Sequence, residues 1–243
     1  MGNHPSKDPA SELISLMSRT EQTELQCRKY LVNAQERLVK ATPIRFLPQE
    51  EEYRGHFGDS DYMVRCVDLD DVGRERNLAY LWEVKAPQCP LFIKDTRDRA
   101  KPSRDLISAE NQLLHYYHEL NNNPGILKDF KILQGDFRFG GIIIGSIKNF
   151  VAGKFKYPEA GMRSAFHAFE LRKKYFYERS SIELITWDRI VEHMQRNPPV
   201  SLAKSKETIP EGLKDNPPDL NIHVIGSINV GESVLAVLKQ EAK

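Results

Sequence analysis

The chain contains the run Leu78-Ala79-Tyr80-Leu81-Trp82-Glu83-Val84-Lys85-Ala86-Pro87. Its apolar first half and its terminal proline predict a buried strand that ends just before Pro87. Side chains two residues apart in a strand point the same way, so Glu83 and Lys85 share one face. A carboxylate can hold a hard divalent cation, and a neighbouring lysine can orient or deprotonate water. The run therefore predicts a centre for metal-assisted hydrolysis. The alternative is a chance Glu-x-Lys on an ordinary strand.

A second strand is predicted over residues 61–67, and a turn follows at residues 70–73. The two strands form an antiparallel hairpin in this interpretation. If its turn centres near Gly73, facing positions have numbers that add to about 146. Asp61 then faces Lys85 and lies diagonal to Glu83, within reach of a shared ion.

The same register sends Asp68 and Asp70 to the far end of the hairpin. The alternative for Asp61 is a turn aspartate in the segment 58–61. A register error of two residues would also weaken its assignment, because strand pairing sets which side chains meet.

The N-terminal part has helical spacing of apolar residues over about 11–41. Thr20 can cap a helix whose first turn holds Glu21 and Glu24. Carboxylates at that end also suit the helix dipole, so Glu24 has a purely structural alternative.

Downstream of the predicted strand, residues 86–108 form a long connection in which basic and acidic residues alternate. The connection could cover a phosphate backbone, and the alternative is a solvated loop. Ser108 is the predicted start of a helix, with Glu110 in its first turn, and Gln112 and Tyr116 share one face of that helix.

Further strands are predicted at 130–133, 140–147 and 182–185, and helices at 163–177 and 187–195. Because strands and helices alternate here, part of the sheet should be parallel. After residue 196 the composition is linker-like, with a last apolar stretch at 220–228.

Bulk composition restricts the class of protein. The 243 residues carry a formal net charge of +1, so a nucleic-acid partner must be attracted by local patches. Three separated cysteines fit a reducing compartment. No apolar stretch reaches membrane-spanning length and no signal peptide is recognisable, which predicts a cytoplasmic protein without a membrane partner.

The order of these features resembles the PD-(D/E)XK nuclease superfamily: an acidic helix, a hairpin carrying Asp61 and Glu83-x-Lys85, and a helix bearing Gln112-x-x-x-Tyr116. Further pieces are similar to the nuclease domain of Shedu antiphage-defence proteins, namely residues 83–91, 109–116, 143–145 and 182–188. The chain departs from the superfamily pattern in having Ser60 where proline precedes the aspartate.

The resemblance implies an α/β fold with a restriction-endonuclease-like mixed sheet flanked by helices. It spans a nuclease domain at about 20–195, with an N-terminal extension at 1–19. Residues 196–243 would be a linker-like C-terminal extension with contacts for a homo-oligomer.

The resemblance also implies roles for individual residues. Asp61, Glu83 and the Val84 carbonyl would bind Mg²⁺ or Mn²⁺, with Glu24 completing the acidic set and Glu21 as its alternative. Lys85 would position or deprotonate the attacking water, Gln112 would orient the metal site or substrate, and Tyr116 would pack beneath it or touch the phosphate. The expected DNA contacts are basic residues of the long connection and the later helix: Arg97, Arg99, Lys101, Arg104, Arg172 and Lys173.

The expected activity is metal-dependent hydrolysis of DNA in prokaryotic antiphage defence. Two alternatives stay open. One is a nuclease of the same fold acting in restriction, repair or mobile-element function. The other is a catalytically silent module for nucleic-acid binding or assembly.

Overall fold

The computed structural model describes residues 8–48, 54–55, 58–59 and 62–198. Strands within these residues are Arg45–Phe46 (β1), Arg54–Gly55 (β2), Gly58–Asp59 (β3), Tyr62–Leu69 (β4), Glu75–Val84 (β5), Phe92–Lys94 (β6), Ala100–Pro102 (β7), Phe137–Ile143 (β8), Val151–Ala152 (β9) and Glu183–Ile185 (β10). The α-helices are Pro9–Met17 (α1), Glu24–Arg28 (α2), Arg104–Asn121 (α3), Pro124–Asp129 (α4), Pro158–Arg172 (α5) and Trp187–Arg196 (α6). Two 3₁₀ segments, Leu31–Leu38 and Gln134–Asp136, and a π-helical turn, Lys173–Tyr177, complete the helical elements.

Five strands form one mixed sheet in the order β1-β4-β5-β8-β10. The β1–β4 and β4–β5 pairs are antiparallel, whereas β5–β8 and β8–β10 are parallel. The predicted hairpin and the predicted parallel part of the sheet are therefore both confirmed, as is the mixed α/β class. The central strand β5 lies between β4 and β8.

The two faces of the sheet are buried against different helices. Side chains of β5 alternate between them: Ala79 and Leu81 pack with α3 and α5, and Tyr80 and Trp82 pack with α1, the first 3₁₀ segment and α6. Burial on both faces explains why β5 reads as a nearly continuous apolar run. Among the described helices, none has the length and apolarity needed to cross a membrane.

The hairpin register differs from the predicted one. Tyr62 faces Trp82 and Leu69 faces Glu75, so facing positions add to 144 rather than 146. The turn is set by Asp70, whose carboxylate accepts hydrogen bonds from the backbone N–H groups of Val72 and Arg74. The basis for setting Asp61 opposite Lys85 is thereby removed, although Asp68 and Asp70 do lie at the far end of the hairpin.

The segment 86–108 is more ordered than predicted. It contains the antiparallel pair β6–β7 and the start of α3. The helix begins at Arg104 rather than Ser108, because the Ser103 hydroxyl accepts a hydrogen bond from the Leu106 N–H and caps it. Asp105, and not Glu110, is the acidic residue of the first turn.

Two further predictions of secondary structure were wrong in part. The predicted strand at 130–133 is absent, because the chain there leaves α4 and enters a short 3₁₀ segment; Lys131 has a positive φ of 55°. The next strand runs from Phe137 to Ile143 instead of 140–147. The N-terminal helical region is broken into three pieces, and Thr23 rather than Thr20 precedes the helix that Glu24 begins.

The last helical elements follow the predictions closely. The helix predicted at 163–177 starts earlier, at Pro158, and ends in the π-helical turn. The strand at 183–185 and the helix from Trp187 are present, with Thr186 at the cap position.

Candidate active site

Glu83 and Lys85 lie together at the carboxyl end of β5. The Lys85 ammonium is 2.7 Å from a Glu83 carboxylate oxygen, so the two side chains share one face as the spacing predicts. Glu83 is only 1% exposed and the Lys85 side chain 18%. A charged pair this buried interacts more strongly than one on the surface, since water screens it less.

The backbone around this pair is held from two sides. The Lys85 N–H donates to the Ile143 carbonyl at 2.8 Å, which continues the contact with β8. The Lys85 carbonyl accepts a hydrogen bond from the Trp187 indole at 2.8 Å, and Trp187 begins α6. Both contacts fix the strand end that carries the two charges.

Helix α3 covers the face to which Glu83 points. Ala79 and Leu81, which alternate with Glu83 along β5, belong to one apolar cluster with Ala109 and Leu113 of α3. The sequence-predicted helix therefore does lie over the sheet face of the candidate site.

Gln112 and Tyr116 occupy different environments on α3. Tyr116 is buried in the apolar cluster beneath the helix. Gln112 is half-buried, and its side-chain carbonyl accepts a hydrogen bond from the Ser108 hydroxyl at 3.3 Å.

Glu24 and Lys85 both act electrostatically on Cys89. The pKa of the Cys89 thiol is raised to about 11, mainly by burial and then by the charges of Asp105 and Glu24, while Lys85 opposes the rise. These electrostatic effects place Glu24, Asp105 and Lys85 in one neighbourhood. The sequence did not single out Asp105. The available signal was a serine cap at Ser103 followed by an acid two residues later.

Gln88 ties the N-terminal helices to the end of β5. Its amide N donates to the Leu16 carbonyl at 3.1 Å, and its amide O accepts from the Thr23 N–H at 3.2 Å. Thr23 is buried and directly precedes Glu24. This link, which sequence reasoning missed, explains how a residue 61 positions before Lys85 in the chain comes near it.

The structure gives less information on the other two predicted metal ligands, Val84 and Asp61. Val84 is fully buried and pairs with Ile143 in the sheet. Asp61 lies outside the described residues. In the sequence it directly precedes Tyr62, and Tyr62 pairs with Trp82, the residue before Glu83. Over the described part of the chain, no three His, Cys, Asp or Glu side chains converge as a metal-binding group.

The predicted DNA contacts divide into exposed and engaged residues. Arg97, Lys101 and Arg104 are exposed, and exposed Arg99 pairs with Asp95 at 3.2 Å. These residues lie on and around the β6–β7 pair, directly before α3. Of the other two, Lys173 is exposed, whereas Arg172 is half-buried and engaged in a contact described next.

Arg172 belongs to a buried polar cluster with Glu110 and Tyr177. The Arg172 guanidinium donates to a Glu110 carboxylate oxygen at 2.6 Å, and the Tyr177 hydroxyl donates to the same carboxylate. Tyr177 is 1% exposed, and its pKa is raised above the ordinary value by burial and then by the hydrogen bond to Glu110. No local sequence motif predicts this cluster, because Glu110 and Arg172 are 62 residues apart in the chain. It joins α3 to the end of α5.

Comparison of the chain with known protein families and with curated proteins found no match. The C-terminal stretch to which oligomer contacts were assigned is described only as far as Pro198.

Proposed function

We propose that the protein is a metal-dependent endonuclease that hydrolyses DNA phosphodiester bonds in prokaryotic antiphage defence, similar to Shedu proteins. The observation that carries the proposal is the buried pair of Glu83 and Lys85 at the end of the central strand, 2.7 Å apart. A carboxylate and an ammonium placed together in a dry site suit phosphodiester hydrolysis, which requires cation binding and proton transfer.

The sheet gives this proposal a second support. A mixed sheet in which an antiparallel hairpin precedes a helix and a parallel strand is the arrangement expected of a restriction-endonuclease-like core. The site lies at the carboxyl end of β5, where β5 and its parallel neighbour β8 both end. Ligands in sheets with parallel strands commonly bind at such ends.

Mg²⁺ or Mn²⁺ fits the donor chemistry of the site, because Glu83 supplies a carboxylate oxygen of the kind that hard cations prefer. Asp61, the Val84 carbonyl and Glu24 are proposed to complete the binding set. When bound, the ion would stabilise negative charge that develops on the phosphate and lower the pKa of water.

The protein's own groups have separable roles in this proposal. Lys85 orients the attacking water as an ammonium or, in its neutral form, deprotonates it. Gln112 contacts the substrate from α3, while Tyr116 fixes that helix against the sheet. The exposed cations Arg97, Arg99, Lys101, Arg104 and Lys173 hold the DNA backbone, whereas the guanidinium of Arg172 is engaged by Glu110.

The test is nicking of supercoiled plasmid DNA with Mg²⁺ or Mn²⁺. We expect Glu83→Gln and Lys85→Met to lower the rate by at least about 10²-fold, the usual scale for a lost acid–base or electrostatic contribution. Glu178→Gln, at an exposed position on the far end of the π-helical turn, is the matched control and should cleave normally. Circular dichroism melting of each variant separates lost chemistry from lost folding.

Cleavage that survives both substitutions in folded protein would overturn the assignment of the site. DNA binding without cleavage by the wild-type protein, under any divalent ion, would favour the catalytically silent module instead.

A further inference from the structure

A polar pocket lies away from Glu83, at the sheet edge beside β8. Its volume is about 380 Å³, and its lining includes Lys40, Tyr80, Tyr117, Arg138, Phe139 and Ser181. Tyr80 is three residues before Glu83 on β5, which is about 10 Å along a strand, and it points to the opposite face. Tyr117 and Phe139 pack with the cluster on the Glu83 face, so the pocket spans the sheet edge, and its separation from the candidate active site is along the strand.

The open sheet edge creates this pocket. β10 pairs with residues 141–143 of β8 only, so within the described residues the first half of β8 has no strand on that side. Backbone N–H and C=O groups at such an edge are available to a ligand. Ser181, in the turn that leads into β10, has a positive φ of 55°, an uncommon conformation for a residue other than glycine.

The pocket is cationic and has no acidic residue in its lining. Arg138 is half-buried and faces Tyr80 directly across the β5–β8 pair. No carboxylate in the described part of the chain pairs with Arg138. Lys40 donates a hydrogen bond to the Ser181 carbonyl, which holds its ammonium at the rim. The nearest acid that acts on Lys40 is Glu183, and both oxygens of that carboxylate are held by Arg37.

The Tyr80 side chain lies behind Arg138 in this pocket. Tyr80 is 0% exposed, so a ligand would meet Arg138 and not the phenol itself. Burial raises the pKa of Tyr80, and the charge of Arg138 and a hydrogen bond with Arg138 oppose that rise, so the phenol lies against the guanidinium. The phenol therefore positions the Arg138 guanidinium from the protein interior.

The other wall of the pocket is aromatic. Tyr117 stacks on Phe139 with ring centroids 3.7 Å apart, and Phe137 continues the stack at 5.3 Å from Tyr117. An anion with a planar or apolar body would contact the cations with one end and this wall with the other. Arginine binds phosphate oxygens through paired hydrogen bonds, which suits Arg138.

We propose that this pocket binds a small phosphate ester carrying a planar ring, the chemical class of a nucleoside monophosphate. The phosphate contacts Arg138 and Lys40, Tyr80 positions the Arg138 guanidinium from behind, and the ring packs on the wall of Tyr117 and Phe139. The volume is within the range of small-molecule sites, which begins near 300 Å³. The site is independent of the proposed nuclease chemistry.

The experiment is isothermal titration calorimetry of the full chain, in a buffer without divalent ions, with AMP, inorganic phosphate and adenosine as probes. We expect AMP to bind more tightly than inorganic phosphate, and adenosine to bind at least about tenfold more weakly than AMP, since it lacks the charged group. Binding of adenosine as tight as that of AMP, or no binding of AMP, would overturn the proposal.

Variants locate the binding. Arg138→Gln should weaken AMP binding about tenfold or more, and Tyr80→Phe, which removes the hydroxyl that positions Arg138 and keeps the ring, should weaken it several-fold. Arg163→Gln, at an exposed arginine of α5, and Glu83→Gln, in the candidate active site, should both bind AMP as the wild type does. Unchanged affinity in folded Arg138→Gln and Tyr80→Phe would place AMP elsewhere and reject the pocket. Loss in Glu83→Gln would assign AMP to the candidate active site.

Discussion

The indole of Trp82 lies directly over Gly140. A Cβ atom on Gly140 would lie 2.1 Å from the Trp82 indole nitrogen. That nitrogen donates a hydrogen bond to the Leu38 carbonyl at 2.9 Å, which fixes the ring in place. The β5–β8 register also shifts between Leu81 and Trp82, where Gly140 is the extra residue. This contact sets the position of the strand end that carries Glu83 and Lys85.

Substitution of Gly140 by alanine should therefore destabilise the fold strongly. Overpacking a dense core costs about 1–3 kcal/mol, and here the clash is with a ring fixed by its own hydrogen bond. Urea unfolding measures the change in the free energy of unfolding. Gly135→Ala is the control, because a Cβ there meets nothing within 4 Å. Equal stability of the two variants would contradict the packing described for Trp82.

The sequence predicted the elements whose signals are local. The apolar run at 78–84 and the short strand ending at Ile185 are both present, because burial on two faces leaves a continuous apolar pattern. The hairpin was predicted but its register was not, since the Asp70 carboxylate decides where the turn closes. That choice depends on side-chain hydrogen bonds rather than on hydrophobic pattern.

Much of the site depends on contacts between distant parts of the chain. The spacing of Glu83 and Lys85 was enough to predict their shared face, because strand geometry has a period of two. The approach of Glu24 depends on Gln88, and the engagement of Arg172 depends on Glu110. Neither Gln88 nor Glu110 could be identified from the residues that adjoin Glu24 or Arg172 in the sequence. Tertiary packing alone brings them together.

Removal of the Arg172 charge should be among the most destabilising changes at a polar residue. Arg172→Met leaves the buried Glu110 carboxylate without its cation, and breaking such a pair by deleting one partner costs about 3–5 kcal/mol. Denaturant unfolding gives the loss of free energy. Arg163→Met removes an exposed arginine whose pair with Glu159 is 3.8 Å long, and it should change stability by less than about 1 kcal/mol. Similar losses in both variants would show that the cluster does not hold α3 to α5.

Tyr177 should make stability fall at high pH. Its pKa in the folded protein is raised above the ordinary 10.0, so the unfolded chain loses this proton first. The contribution is complete below pH 10 and is lost as the pH rises above 10 towards the folded pKa. Free energies of unfolding measured from pH 8 to 11 should decline, and the decline should be smaller in Tyr177→Phe. A parallel decline in the two proteins would rule out this hydroxyl as a source.

DNA binding should depend on salt through the exposed cations before α3. If Arg97 and Lys101 each contact a phosphate, replacing either by glutamine should make the negative slope of log affinity against log salt less steep by about 1. Fluorescence anisotropy with labelled duplex DNA at several salt concentrations measures the slope. Arg45→Gln is the control, since Arg45 lies on the edge strand β1 and pairs with Glu75 at 2.7 Å. A slope unchanged by both substitutions would exclude the β6–β7 segment from the DNA contact.

All three cysteines should resist thiol reagents in the folded protein. Cys27 and Cys66 are 0% exposed and Cys89 is 5% exposed. Burial also raises the pKa values of Cys66 and Cys89 to about 11, so little of the reactive thiolate exists at pH 8. Titration with Ellman's reagent at pH 8 should detect almost no thiol in native protein and all three after denaturation. Fast reaction of Cys89 alone would mean that the Gln88 contacts open readily. The neighbourhood that brings Glu24 towards Lys85 would then not persist in solution.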